Sequence, residues 1–406
     1  MQHIAAARRM RAAVLVALAG LGVFGVPAAR ADGPGVGTPT VVAVGDSYVS
    51  GESGRWAGNA SSESYVDALG STAYYDNSTN TGETIPGCHR SKSNESAISG
   101  GVVGKDLACS GAKTATTPYS SDSDFKPGLD FYDDGAGHQG QAEMLQTYAA
   151  THNVKLVTVS IGGNDYNFAG IVQDCVEDFL SSPSWWPDYC YDDSVVTSQM
   201  TSSNVTAKTA AIKNAILRVN QAMLNAGYSS SQFTILVQDY PSPIPYGSGF
   251  RYSQSGYTRQ STGGCGFWDA DANYANNTLL PTIDNSVLNA ASQTGLSNLK
   301  TMELRAAFNG RRLCENTVDR VDHTSYSSWS APGALDHIEW FQGIRTVTTA
   351  YSDYYVQESL HPDYLAQLGL RNCIRQAYNG GTPRGGTCKI SSTGVTSRGE
   401  PNMSLT

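Results

Sequence analysis

The sequence predicts an α/β protein with a mainly parallel central sheet and helices on both faces of that sheet. Two features lead to this prediction: short β-branched apolar runs, and longer segments with apolar residues at helical spacing, which alternate along the chain. The chain has 406 residues, of which 40% are hydrophobic, so it contains enough apolar material for a sizeable core. We find no internal repeat.

The first predicted strand, Val41 to Val44, stops abruptly on Gly45-Asp46-Ser47. A continuous apolar run is typical of a parallel strand buried on both faces, and open α/β sheets bind their ligands at the carboxyl ends of such strands. Ser47 is therefore a candidate nucleophile, which would need a base and oxyanion donors from elsewhere in the chain. An ordinary polar turn after a strand is the alternative interpretation.

Further elements follow in alternation, separated by three segments with little periodicity. The predicted helices cover residues 138–152, 206–226, 270–294 and 363–378, and the later strands cover 155–161, 233–237 and 299–304. We interpret residues 51–104, 113–137 and 168–205 as inserts.

Two more segments end on small polar residues, as the first strand does. In residues 107–112, Gly111 would let a main-chain N–H approach a ligand with no Cβ in the way. The strand predicted at 155–161 runs into two glycines and Asn164, whose side-chain amide is an uncharged donor. Such a donor suits an oxyanion that forms only during a reaction. An ordinary turn is the alternative at both places.

His361 is the candidate base, because it stands in a loop directly before the predicted helix 363–378. Pro362 fits the first turn of that helix, so the histidine would be held in place yet face outward. It could take the proton of Ser47 if the fold brings the two within hydrogen-bond distance. The competing histidines are His138, His323 and His337.

The first 31 residues have the pattern of a secretory signal peptide. Three arginines precede an apolar run from Ala12 to Val26, and Ala29-Arg30-Ala31 forms a small-residue cleavage site. The run is too short to cross a bilayer, and no later stretch is apolar for long enough. We therefore expect residues 32–406 to form a single secreted domain with no stable membrane insertion.

All eight cysteines lie after the predicted cleavage site. An even number of cysteines in an exported chain favours disulfides, and sequential pairing would close four local loops. No C-x-x-C motif occurs, which argues against a structural zinc site. The predicted pairs are Cys88–Cys109, Cys175–Cys190, Cys265–Cys314 and Cys373–Cys388.

The charge of the chain excludes some partners. A net charge of −9 and a pI near 5.2 argue against nucleic acid. Asp133-Asp134 and Asp192-Asp193 offer carboxylates, but their spacing resembles no known metal cage, so we predict no metal and no other cofactor. The sequence leaves open whether calcium binds in a structural role. We expect a monomer whose partner is a small molecule.

Taken together, four segments resemble the four sequence blocks of the GDSL or SGNH hydrolase family, in the same order. The match covers short pieces between residues 41 and 365. Tyr48 stands where the family usually has leucine, and in this the chain resembles the secreted actinobacterial branch of esterases, lipases and phospholipases. The resemblance implies a three-layer α/β/α, flavodoxin-like fold. The four segments are Gly45-Asp46-Ser47-Tyr48, Gly111, Gly162-Gly163-Asn164-Asp165 and His361.

The resemblance also implies a role for each residue. Ser47 would attack an ester carbonyl with His361 as general base, and the N–H groups of Ser47, Gly111 and the Asn164 amide would hold the oxyanion. The family usually has an aspartate three residues before the histidine, and this chain has Glu358. Either Glu358 or a main-chain carbonyl would therefore orient His361.

The implied function is a secreted serine esterase acting on carboxylic esters of lipids or other acyl compounds. A polysaccharide acetyl esterase or an acyltransferase of the same fold is an alternative, and so is a non-catalytic binding protein, because a fold does not fix a function. Trp185 and Trp186 are candidates for the wall of an acyl pocket or for the core of the 168–205 insert.

Overall fold

The computed structural model describes residues 32–345 and 358–406. The predicted signal peptide lies outside these ranges. A seven-stranded sheet forms the centre of the described part of the chain. Its strands are β1 (Pro39–Gly45), β2 (Val103–Asp106), β3 (Asn153–Ser160), β4 (Thr234–Gln238), β5 (Leu299–Glu303), β6 (Gly386–Val395) and β7 (Pro401–Leu405).

Helices connect and flank these strands. The α-helices are α1 (Ser47–Ser50), α2 (Gln141–Ala149), α3 (Phe168–Ser181), α4 (Ser194–Thr197), α5 (Ser202–Asn225), α6 (Thr258–Ser261), α7 (Asp269–Tyr274), α8 (Leu280–Gln293) and α9 (Tyr364–Tyr378). A π-helical turn, Ala275–Leu279, joins α7 to α8. The 3₁₀ turns are Glu63–Tyr65, Asn164–Tyr166, Cys190–Asp192, Gly247–Gly249, Val321–His323, Ala334–Asp336 and Asn379–Gly381.

The strand order is β2-β1-β3-β4-β5-β6-β7, and every pair is parallel except the antiparallel pair β6 and β7. The first five strands follow the doubly wound order of flavodoxin-like sheets. Along this order, the connection from β1 to β2 runs in one direction, and the connections from β2 to β3, β3 to β4 and β4 to β5 run in the other. Right-handed crossovers therefore place α2, α5 and α8 on one face and the β1-to-β2 connection on the other.

The last helix, α9, packs with this second layer. The side-chain amide of Gln367 donates to the carbonyl of Tyr48, and the guanidinium groups of Arg371 and Arg375 donate to the carbonyls of Asn94 and Ile98 in the β1-to-β2 connection. On the opposite face α5 packs against both α2 and α8. The predicted three-layer α/β/α fold with a mainly parallel sheet is confirmed.

The central strands are buried on both faces, which explains their unbroken apolar sequences. Residues 41–44 of β1 are fully buried, as are most residues of β3 and β4. Helix α5 begins where the hydroxyl of Thr201 accepts a hydrogen bond from the Asn204 amide, and it turns an apolar stripe that includes Ile212, Ile216 and Val219 toward the sheet.

The predicted elements agree with the observed ones to within a few residues, with three differences. The segment predicted as one helix at 270–294 is divided by the π-helical turn. Strand β2 ends at Asp106, ahead of the apolar residues 107–112. The hairpin of β6 and β7 was not predicted, because its sequence is largely polar and only two of its residues pair with β5.

The structure forms the four predicted disulfides, Cys88–Cys109, Cys175–Cys190, Cys265–Cys314 and Cys373–Cys388. They close loops with sequence separations of 15 to 49 residues. Among the helices of residues 32–345 and 358–406, none has the length and hydropathy needed to cross a bilayer.

Candidate active site

Ser47 is the first residue of α1, directly beyond the carboxyl end of β1. Gly45 has a φ of +136°, and a Cβ at this position would lie 1.9 Å from the carbonyl oxygen of Ser160, so only glycine fits the turn. The carboxylate of Asp46 caps α1 by accepting from the Tyr48 amide. The side chain of Gln141 holds the turn from the other side, bonding both the N–H and the carbonyl of Gly45.

The fold brings Ser47 and His361 together although 314 positions separate them in the sequence. The distance between Ser47 Oγ and His361 Nε2 is 2.7 Å, and His361 Nδ1 lies 2.9 Å from the carbonyl oxygen of Ser359. A carbonyl can only accept, so Nδ1 carries the ring proton and Nε2 is left to accept from the serine hydroxyl. This is the tautomer that a general base requires.

The electrostatic surroundings of His361 favour the neutral ring. The imidazole is buried, and burial lowers its pKa, although the negative charge of Glu52 and the carbonyl of Ser359 act in the opposite direction. At neutral pH the ring is therefore unprotonated and able to accept a proton from Ser47.

Glu358 does not occupy the place that the sequence suggested for it. Its carboxyl group accepts hydrogen bonds from Trp56 Nε1 at 2.5 Å and from the Tyr74 hydroxyl at 2.6 Å, and no hydrogen bond of the described residues joins it to the His361 ring. Of the two alternatives that the sequence left open for orienting His361, this geometry favours the Ser359 carbonyl. The backbone explains this, because Leu360 has a φ of +60° and the resulting turn directs that carbonyl toward the ring.

The three candidate oxyanion donors lie in turns that follow strands β1, β2 and β3. Ser47 and Asn164 line one cavity. The Asn164 amide donates one hydrogen bond to the carbonyl of Ala112, at 2.9 Å, which leaves its second N–H for a ligand. Gly111 has a φ of +80° and lies in the turn from Cys109 to Ala112. The N–H of Cys109 donates to the carbonyl of Gly45, which ties this turn to the one that carries Ser47. Within the ranges that the structure describes, the N–H groups of Ser47 and Gly111 have no acceptor.

Tyr240 joins the strand ends on either side of this cavity, a role that sequence reasoning missed. Its hydroxyl donates to the carboxylate of Asp46 at 2.5 Å and accepts from the N–H of Gly163 at 2.9 Å. Burial raises the pKa of Asp46 to about 7, and the hydrogen bonds from Tyr240 and Tyr48 act against that rise. The turn that carries Ser47 is thus fixed to the turn that carries Asn164.

A buried ion pair, Glu52 with His89, was also missed. Glu52 Oε1 lies 2.8 Å from His89 Nδ1, and both side chains are buried. Burial alone would lower the pKa of His89, but the charge and hydrogen bond of Glu52 raise it to about 9, so the pair is ionised at neutral pH. The pairing depends on residues 37 positions apart in an aperiodic segment, for which the sequence gives no signal.

This ion pair connects the two turns of the site. The N–H of Glu52 donates to the carbonyl of Ser47. His89 follows Cys88, which forms a disulfide with Cys109. The carbonyl of Cys88 also accepts a hydrogen bond from the N–H of Ser110. The turn holding Gly111 is therefore anchored to the turn holding Ser47 by one disulfide and one buried ion pair.

Other candidates from the sequence lie outside this constellation. Trp185 and Trp186 are 80% and 74% exposed, so neither forms the core of the insert nor lines a pocket. His138 pairs with Asp134 at 2.6 Å, and His323 contacts Tyr252 and Asp319. His337 stacks on Tyr326.

One acidic cluster was only partly anticipated. Among the described residues, Asp174, Asp178 and Asp193 bring carboxylate oxygens within 4.8 Å of one another. Of these, only Asp193 belongs to the aspartate pairs named from the sequence. Such groups are common on surfaces without a bound ion, and none of the three contacts Ser47 or His361.

No protein-family model matches the chain, and no curated protein matches it. Among solved structures, it is similar to an extracellular lipase from Streptomyces rimosus (18% identity, 82% of this chain and 95% of that chain covered, TM-score 0.40). It is also similar to phospholipase A1 from Streptomyces albidoflavus NA297 (17% identity, 84% of this chain and 99% of that chain covered, TM-score 0.42). A third similar structure is a family two carbohydrate esterase from Clostridium thermocellum (11% identity, 84% of this chain and 64% of that chain covered, TM-score 0.33). These identities and scores are low, so the chemistry of the site has to be judged from its own geometry.

Proposed function

We propose that the chain is a serine ester hydrolase of the SGNH type, with Ser47 as nucleophile and His361 as general base. The observation that carries this proposal is the 2.7 Å hydrogen bond between Ser47 Oγ and His361 Nε2, with the opposite ring nitrogen held by the Ser359 carbonyl. A buried neutral imidazole beside a serine hydroxyl at a strand end has little structural purpose. It is what serine acylation requires.

In the first half of the reaction, His361 takes the hydroxyl proton as Ser47 Oγ bonds to the carbonyl carbon of the ester. The carbonyl oxygen becomes an oxyanion, which the N–H groups of Ser47 and Gly111 and the free amide N–H of Asn164 would stabilise. The imidazolium then gives its proton to the alcohol oxygen as the carbon–oxygen bond breaks. An acyl ester on Ser47 and a free alcohol result.

In the second half, His361 takes a proton from water, and the hydroxide attacks the acyl carbon. The same three donors hold the second oxyanion, and collapse returns the proton to Ser47 and releases the carboxylic acid. The positive charge that His361 carries during each half is stabilised by the Ser359 carbonyl. No metal or other cofactor is needed at any step.

Export of the protein is part of the same proposal. The signal-peptide pattern of residues 1–31 and the four disulfides support an oxidising compartment outside the cell. We propose that residues 32–406 act there as a monomer on small-molecule or lipid esters.

Labelling with a serine-directed organophosphate, together with hydrolysis of p-nitrophenyl acetate, tests the mechanism. We expect one adduct, on Ser47, and a fall in kcat on the order of 10⁴-fold or more in Ser47→Ala. Ser202→Ala is the matched control, because Ser202 is also the first residue of an α-helix but is exposed and remote in sequence. An adduct on another residue, or no adduct and no turnover, would refute the proposal and favour a binding protein.

A further inference from the structure

A second cavity continues from the one that Ser47 lines. It shares four lining residues with the first, Phe168, Pro243, Leu280 and Ile283. Leu360, the neighbour of His361, also lines it. We refer to this second space as the deep cavity. It therefore adjoins the space beside Ser47 in which an ester would bind.

The wall of the deep cavity is almost entirely apolar. Ser242 and Asn276 also line it, but their side chains hydrogen-bond each other at 2.7 Å and bond nearby main-chain carbonyls, so their polar groups already have partners within the protein. Asp271 is a third polar residue on the wall. Its carboxylate accepts from the Tyr191 amide, and burial raises its pKa to about 7. The cavity thus offers few groups that could recognise the hydroxyls of a sugar.

A π-helical turn and a disulfide border the deep cavity. The π-helical turn contributes Ala275, Asn276 and Leu279 to the wall, and a widened turn of this kind inside a helix is frequent at functional sites. On the opposite side, the disulfide between Cys175 and Cys190 closes the wall formed by α3. An unfilled apolar cavity between these elements forgoes packing contacts, which is consistent with a space kept for a ligand.

We propose that the deep cavity binds the acyl chain of the substrate, and that the preferred substrates are esters of unbranched fatty acids much longer than acetate. This inference rests on the proposed function and specifies its substrate class. An acetyl group would reach only the first cavity. Each further methylene that enters the deep cavity should raise kcat/KM roughly fourfold until the cavity is full.

The test compares kcat/KM for p-nitrophenyl esters of acetic, butanoic, octanoic and dodecanoic acids. For the wild type we expect the octanoate to exceed the acetate by on the order of 10²-fold or more. Ala275→Phe and Val172→Phe fill the deep cavity from two different helical segments, and neither residue lines the cavity of Ser47. We expect each to lower the octanoate-to-acetate ratio at least tenfold. Ala210→Phe, at an exposed position of α5, is the matched control and should leave the ratio unchanged.

The possible outcomes separate this inference from the proposed function. Organophosphate labelling of Ser47 and turnover of the acetate ester report whether each variant is folded and chemically competent. If the wild type labels and hydrolyses acetate but shows no preference for octanoate, the acyl-chain inference is wrong while the esterase proposal stands. The inference also fails if both cavity variants label normally and keep the wild-type ratio. Absence of labelling in the wild type would instead overturn the esterase proposal.

Discussion

At the scale of single residues, a carbonyl replaces the expected carboxylate behind the histidine. Ser359 holds His361 Nδ1, whereas Glu358 bonds Trp56 and Tyr74. A carbonyl fixes the tautomer as well as a carboxylate does, but it contributes no full negative charge to the imidazolium. The side chain of Glu358 instead joins the segment that follows α1 to the segment that precedes His361.

Glu358→Gln therefore tests which group orients the ring. Burial, together with the charge of Glu52, raises the pKa of Glu358 to about 8, so its carboxyl is largely protonated at neutral pH and glutamine resembles it closely. We expect kcat/KM on p-nitrophenyl acetate to stay within about threefold of the wild type, since no charge acting on His361 is removed. A loss on the order of 10²-fold would return the orienting role to the carboxylate.

The amide of Asn164 allows a second test at this scale. Asn164→Ala removes one of the three proposed oxyanion donors, and we expect kcat to fall by about 10²- to 10³-fold with little change in KM. Steady-state kinetics on one ester measures both constants. A variant that changes KM alone would show that the amide binds the ground state and not the transition state.

At the scale of elements, the turns after β1 and β2 are held together by the pair of Glu52 and His89 and by the disulfide next to it. The pKa of His89 rises from 6.5 to about 9 on folding. The stabilisation from the pair is therefore fully present below pH 6.5 and is lost as pH rises through about 9.

The free energy of unfolding should show this dependence. We expect the difference between wild type and His89→Gln, measured by urea denaturation, to be about 3 kcal/mol larger at pH 6 than at pH 10. Subtracting the two free energies of unfolding removes the contribution of the carboxylates that titrate in both proteins. A difference that does not change across this range would mean that His89 is not charged in the folded protein.

The elements themselves differ in how far the sequence predicts them. Strands β1, β3 and β4 and helix α5 follow from apolar periodicity, because their burial is continuous or regular. The π-helical turn has no such signature, since its residues keep helical spacing on both sides. The β6 and β7 hairpin is stabilised mainly by its own pairing and by α9, so its sequence lacks the apolar run of a central strand.

At the scale of the whole molecule, the order of the strands explains why Ser47, Gly111 and Asn164 could be proposed together from the sequence. Each follows a strand of the adjacent trio β2, β1 and β3, and parallel strands end at one edge. The supporting residues, Gln141, Tyr240 and the pair of Glu52 and His89, come from distant or aperiodic segments. Their contacts exist only once the sheet is assembled, so no local pattern marks them.

The separation of 314 positions between Ser47 and His361 has a consequence for when the proposed site can form. A ribosome delivers Ser47 early and His361 late, and none of the four disulfides joins one to the other. A nascent chain that has not yet reached residue 361 lacks this imidazole. For the esterase proposed above, we therefore expect turnover to begin only after synthesis of the distal segment and its packing onto the sheet.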